Sequence, residues 1–275
     1  MRELQVKDIL FGAAYYPEYM PYDRLQEDIA MMQKAGMNTI RIAESTWSTL
    51  EPAEGVYDFS YIDKALAAAE EAGMYVIIGT PTYAIPSWLE KKCPEVMVFD
   101  GYSRKKYGKR QIMDIVHPVF RKCAENVICK LLEHTANVSC VIGFQIDNET
   151  KHYGTASPQV QRMFVEYLKT KFHTTEQLNE VFGLRYWSNS ISDWSDFPDM
   201  AGCIHGGLAC EFAKFQRSLA AEYLVWQSEL VKKYKRQDQF ITHNFDFEWK
   251  KFGADIAQDG YSYGVQPDIN HYEAS

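Results

Sequence analysis

Residues 141–150, VIGFQIDNET, run largely apolar through Ile146 and then present Asp147, Asn148 and Glu149 in succession. A carboxyl and an amide side by side at the end of a buried strand suit acid catalysis on a glycosidic bond. That hydrolysis usually uses two carboxyls, one to protonate the leaving oxygen and one to attack or to activate water. Glu149 is placed for the first role, and the Asn148 amide can hydrogen-bond the sugar hydroxyl beside the reacting carbon. The acid must begin protonated, which a sheltered site and a neighbouring negative charge both favour. An isolated Asn-Glu pair also describes a solvated loop. The apolar strand in front of it is what points to chemistry, and Asp147 is expected to support its neighbours structurally.

Other residues fall at comparable places. Arg110 closes the basic run RKKYGKR, 104–110. Its rigid fork of donors suits sugar hydroxyls or a carboxylate, whereas the run around it reads as a solvated face. Glu44 ends an earlier apolar run and either faces the same pocket or pairs with Arg41 or Arg110. Trp47, Tyr15 and Tyr16 either line the pocket or pack in the core. Asn244 sits at another strand end, where capping competes with a role in the site. His152, three residues past the acid, reads as a subsite residue or a surface histidine.

These residues need a scaffold, and the chain has the length for one. It has 275 residues, 46% hydrophobic, enough for one large core. A net charge of −8 and a pI near 5.4 argue against nucleic acid or an anionic membrane surface as partner. The 18 Tyr and 6 Trp supply flat apolar faces that fit either a core or the C–H face of a pyranose. MRELQVKDILFGAAYY carries no signal-peptide h-region, and no apolar run approaches the ~20 residues of a membrane span. Six cysteines form no C-x-x-C pair and no metal-site spacing, so reduced thiols in a cytoplasmic protein are expected.

Hydrophobic periodicity predicts strands at 9–17, 38–44, 74–82, 140–149 and 239–245. Helical patterns fill the spaces, at 23–35, 60–72, 117–135, 158–172, 174–182 and 208–234. Gly36 and Gly73 fall where helix C-caps turn the chain into the next strand. Strand alternating with helix, with strands apolar on both faces, means a parallel sheet wrapped by helices. Tyr15 to Glu18, Glu44, Thr80 to Thr82, Asn148-Glu149 and His243-Asn244 all gather at strand C-terminal ends. That is the face on which (β/α)8 barrels build their sites. A doubly wound open sheet is the alternative, but the first strand–helix turn lacks its glycine-rich phosphate loop. Residues 1–275 are therefore expected to form a single (β/α)8 TIM-barrel domain with about the first five strands present. The last stretch, GADIAQDGYSYGVQPDINHYEAS, shows no further strand pattern, so the domain is expected to be truncated at its C-terminal end.

Beyond single residues, YPE (16–18), RIAE (41–44), WSTLEPAEGVYDF (47–59), GTPT (79–82) and PSWL (86–89) occur in order. YGKRQ (107–111), VIGFQIDNE (141–149), EQLNEVFGLRYWS (176–188) and ITHNF (241–245) follow. This succession, in this order and spacing, resembles the glycoside hydrolase family 42 β-galactosidases. The resemblance implies a retaining mechanism on a (β/α)8 barrel, with Glu149 as acid/base and with Arg110 and Asn148 holding the sugar in the first subsite. It also implies a small β-galactoside as partner, no cofactor and a homo-oligomer, often a trimer.

Two departures stand out. Some family members carry a cysteine-rich zinc cluster after the acid/base strand, but TKHYGTASPQVQRMF (150–164) has no cysteine, so no structural metal is expected. The family's nucleophile is a Glu ending the seventh strand. The downstream carboxylates here are Asp246, Glu248, Asp255, Asp259, Asp268 and Glu273, and none follows an apolar strand. Glu273 reads as the start of another helix. The nucleophile is therefore expected to be missing, and the chain alone to lack normal turnover. A related barrel glycosidase, acting on α-L-arabinopyranosides or β-glycans, and a non-catalytic sugar-binding fragment are the alternatives.

Overall fold

The structure is a computed structural model and describes residues 9–20, 22–110, 112–245 and the backbone of 269–272. Six parallel strands form one sheet in chain order: β1 (Gly12–Ala14), β2 (Thr39–Ile42), β3 (Tyr75–Gly79), β4 (Val141–Gln145), β5 (Phe240–Asn244) and β6 (Ile269–Tyr272). The connections carry α1 (Leu25–Lys34), α2 (Trp47–Leu50), α3 (Ser60–Glu71), α4 (Ser87–Lys92), α5 (Pro118–Thr135), α6 (Pro158–Phe172), α7 (Thr175–Phe182) and α8 (Gly206–Lys232). Consecutive parallel strands joined by helical crossovers are the construction of an α/β barrel.

The five expected strands are present, shortened at both ends. The sixth was not expected. Ile269–Tyr272 pairs in parallel with Ile241–Asn244, where the sequence reading found no strand. Its four residues, INHY, alternate too briefly to stand out from the polar stretch around them. The carboxylates Asp246, Glu248, Asp255, Asp259, Asp268 and Glu273, and with them the expectations about a nucleophile, lie outside the described residues.

Helix ends follow from local chemistry. α1 and α3 close through Gly36 (φ 81°) and Gly73 (φ 66°). In each case the residue after the glycine bonds back across the last turn, Met37 to Met32 and Met74 to Ala69, at 2.9 and 2.8 Å. These are Schellman closures, in which glycine takes the left-handed conformation without steric cost. Pro118 and Pro158 open α5 and α6 at positions where a missing N–H costs nothing.

The sheet's two faces differ. Val76, Ile78, Val141 and Phe144 pack outward against Leu66 of α3 and Phe120, Val127 and Leu131 of α5, in one continuous buried cluster. Each such buried side chain contributes about 1.5–3 kcal/mol. The concave face holds a smaller cluster of Ile77, Ile142 and Phe240, flanked by Leu10 and Tyr75. Above it opens a cavity of about 280 Å³ bordered by Arg41, Gln145, Thr242, His243 and Asn244. β1, which pairs with β2, is exposed along its length.

Candidate active site

The strand register brings the C-terminal ends of β3, β4 and β5 together, with Gly79 opposite Gln145 and Gln145 opposite Thr242. Beyond β4 the backbone keeps bonding to β5: Ile146 N–H donates to Thr242 O, and Glu149 N–H to Asn244 O, each at 2.9 Å. Between these two bonds Asp147 takes φ 45°, and Glu149 itself takes φ 47°. Non-glycine residues in this region carry strain that the surrounding structure must hold. Here the strand-like bonds on either side fold 147–149 into a kink that lifts the Glu149 side chain onto the barrel rim.

Asp147 is the buried pin of that kink. Thr82 Oγ1 donates to its Oδ1 at 2.8 Å, Thr150 Oγ1 donates to Oδ2, and its own N–H donates to Thr80 Oγ1 at 2.6 Å. Thr80 in turn donates to Gln227 Oε1 at 2.6 Å, and Gln227 Nε2 donates to Thr82 Oγ1 at 2.9 Å. The end of β3, the end of β4 and α8 are thereby tied into one buried network, of the kind that is rigid when fully satisfied. Burial pushes the Asp147 carboxyl up to about 6.

Asn148 is buried, and its Oδ1 accepts from Asn244 Nδ2 at 3.0 Å and from Gln145 Nε2 at 3.3 Å. These bonds define which end of the amide is oxygen and leave its NH2 as the donor end. Asn244, for which capping was the competing role, instead bonds to Asn148 and orients it. Glu149 is half-buried, and Tyr83 Oη donates to its Oε2 at 3.3 Å. Arg110 is exposed, with its guanidinium 5.1 Å from the centre of the same Tyr83 ring. The loop that delivers Arg110 is held by ladder bonds between Val96–Val98 and Ile112–Asp114 and by Arg104 Nη1 donating to Met97 O at 3.0 Å. The three residues singled out from sequence therefore meet in one place.

Several secondary candidates do not join them. Glu44 is 2% exposed; it accepts from Arg41 Nε and Nη2 and from the Tyr16 hydroxyl. This is the structural ion pair, formed with Arg41 and not with Arg110. Trp47 is fully buried and donates to Glu51 Oε2 at 2.7 Å. Tyr15 donates to Asp28. His152 is not a surface residue: it is 1% exposed, and its Nδ1 accepts from Gly154 N–H at 3.1 Å.

Tyr83, Gln145 and Gln227 were not singled out from sequence, and Thr80 and Thr82 only as strand-end residues on the site face. Tyr83 follows the GTPT strand end that was read as a rim position, and that was its only signal. Gln227 lies mid-helix, 145 residues from Thr82, with none. Tyr153 (φ 51°) also closes on the group: its hydroxyl is buried without a hydrogen-bond partner among the described residues, and burial pushes its phenol up.

Six consecutive parallel strands with a polar cluster at their C-terminal ends define a protein of the α/β-barrel class. The chain matches the glycoside hydrolase 42 β-galactosidase family model over residues 14–263 and belongs to that family. It is 31% identical over 252 residues to the β-galactosidase BgaA of a Thermus species, covering 86% of this chain and 38% of that one. It is 28% identical over 280 residues to the β-galactosidase LacZ of Lactobacillus acidophilus, covering 94% of this chain and 41% of that one. Among solved structures, the cold-adapted β-galactosidase of Rahnella sp. R3 superposes with a TM-score of 0.81 at 29% identity, covering 88% of this chain and 36% of that one. The chain thus spans well under half the length of these relatives.

Proposed function

We propose that this chain carries the acid/base half of a retaining β-galactosidase. The observation that supports it best is the convergence of Glu149, Asn148 and Arg110 at the strand ends, two of them meeting on one tyrosine. In this reading residues 1–275 form a single barrel domain. Arg110 and the Asn148 NH2 hold the hydroxyls of a terminal galactose. Glu149 donates its proton to the leaving oxygen as the glycosidic bond breaks, and a carboxylate attacks the anomeric carbon to form a galactosyl-enzyme. Glu149 then takes a proton from the water that releases galactose.

Asp147 and Glu44, both buried near this end of the sheet, are each committed to hydrogen bonds that fix backbone or an arginine. Neither suits the nucleophile, and in this reading the chain does not supply one. The substrate is a small β-galactoside and no cofactor is required; a cytoplasmic location is supported by six free thiols, and a homo-oligomer by family likeness. Among the described residues no helix is long and apolar enough to cross a membrane.

Calorimetric titration of the 275-residue chain with galactose tests the reading. Binding is expected, falling at least about tenfold in Arg110→Ala, while hydrolysis of nitrophenyl β-galactoside by the same sample stays near background. Robust turnover by the unaltered chain would refute the assignment of the nucleophile. Binding that is indifferent to Arg110 and Asn148 would refute the site.

A further inference from the structure

Tyr83 sits in the 3-10 turn Pro81–Tyr83 directly after β3 and is 5% exposed. Its backbone is anchored through its neighbour, because Thr82 donates to Asp147 at 2.8 Å and accepts from Gln227 at 2.9 Å. The phenol therefore has a fixed origin relative to the kinked end of β4. From that origin it reaches Glu149 through its hydroxyl and Arg110 through its ring. Glu149 has three side-chain torsions and projects from a strained rim position. Arg110 has four, and comes from an exposed loop. Freezing such side chains costs entropy that a rigid aromatic partner, with two torsions, lowers.

We propose that Tyr83 is the positioning residue of this site, its hydroxyl orienting the Glu149 carboxyl and its ring seating the Arg110 guanidinium. This deepens the β-galactosidase reading and rests on it. With Tyr83 donating to Oε2, the proton that Glu149 delivers is carried on the other oxygen, so the tyrosine selects the direction of proton delivery. The contact is long at 3.3 Å, and hydrogen bonds at catalytic carboxyls commonly tighten when substrate closes the site. Burial, and then the charge of Glu149, push the Tyr83 phenol up to about 12, so it remains a donor throughout the neutral range. The cation–π contact with Arg110 works through the ring alone. The two functions can therefore be separated by substitution.

The test is calorimetry on the 275-residue chain with two probes, galactose and the hydrolytically stable amine β-galactosylmethylamine, whose ammonium stands next to where the leaving oxygen would be. Glu149→Gln supplies the reference, because it removes the charge that favours the amine. Tyr83→Phe keeps the ring: galactose affinity should stay within about twofold of the parent, while the preference for the amine falls at least about fivefold. Tyr83→Leu removes the ring as well, and galactose affinity itself should fall about tenfold. Circular dichroism verifies that each variant is folded. Tyr83→Phe with the parent's amine preference overturns the proposal, as does parallel weakening of both probes in both variants, the mark of a purely structural residue. A parent chain that binds neither probe overturns the functional reading and this proposal together. Selective binding that does not depend on Tyr83 overturns this proposal alone.

Discussion

Asp147 and His243 are two buried ionisable residues at this end of the sheet whose titration the fold changes in opposite senses. Burial raises the Asp147 carboxyl from 3.8 to about 6. Folding favours its neutral form, so its contribution to stability is complete below about pH 4 and is lost as pH rises through 6. Burial lowers His243 from 6.5 to about 4, and its Nδ1–H donates to Ile146 O at 2.7 Å. That contribution is complete above about pH 6.5 and is lost as pH falls through 4. The two offset each other over the same window. Asp147→Asn leaves the histidine uncompensated, so the variant should lose stability relative to the parent on acidification from about pH 6.5 to 4, by on the order of 2–3 kcal/mol. His243→Asn should show the reverse. Melting temperatures across that range check both, and curves parallel to the parent's would sink the argument.

At the scale of elements, the helix ends carry the clearest expectation. Gly36 has φ 81° and no atom within 4 Å of where a Cβ would stand. Gly36→Ala is therefore penalised by backbone strain alone, about 1 kcal/mol. Gly206 opens α8 and is equally uncrowded, but its φ lies outside the left-handed range. Gly206→Ala should stabilise by about 0.5 kcal/mol, chiefly by restricting the unfolded chain. Denaturant midpoints of the two variants should move in opposite directions. Equal shifts would show that the Schellman closure of α1 contributes nothing.

For the whole molecule, the site depends on how closely neighbouring strand ends approach. A Cβ on Gly79 would lie 2.5 Å from Glu44 Cβ and 2.9 Å from Glu44 Cα. Backbone cannot swing aside as a side-chain tip can, so Gly79→Ala must part the ends of β2 and β3. The next residue, Thr80, carries the hydrogen bond to Asp147, and the disturbance passes into the kink that presents Glu149. A cost of at least about 2 kcal/mol is expected, with weaker galactose binding in the same variant. Calorimetry and thermal unfolding together test this; a stable Gly79→Ala with the parent's affinity would show that the strand spacing is not what holds the site.

The amino-acid sequence by itself determined the parallel α/β architecture, because strand and helix periods, glycine stops and proline starts are local properties of the chain. It also singled out Glu149, Asn148 and Arg110, whose motifs are contiguous and which the strand ends bring together. It did not reveal β6, whose four residues are defined by pairing with β5 and not by their own pattern. Nor did it choose between the readings of Glu44, Asn244 and His152, since a polar side chain at a strand end serves packing or chemistry equally well until its partners are known. Tertiary structure decided those cases: Arg41 and Tyr16 claim Glu44, Asn148 claims Asn244, and His152 is buried. Tyr83 and the Gln227–Thr82–Asp147 network were decided only there as well. Hydrogen bonds between residues 145 and 65 positions apart leave no local trace in the chain; they exist only once the strand ends have been brought together.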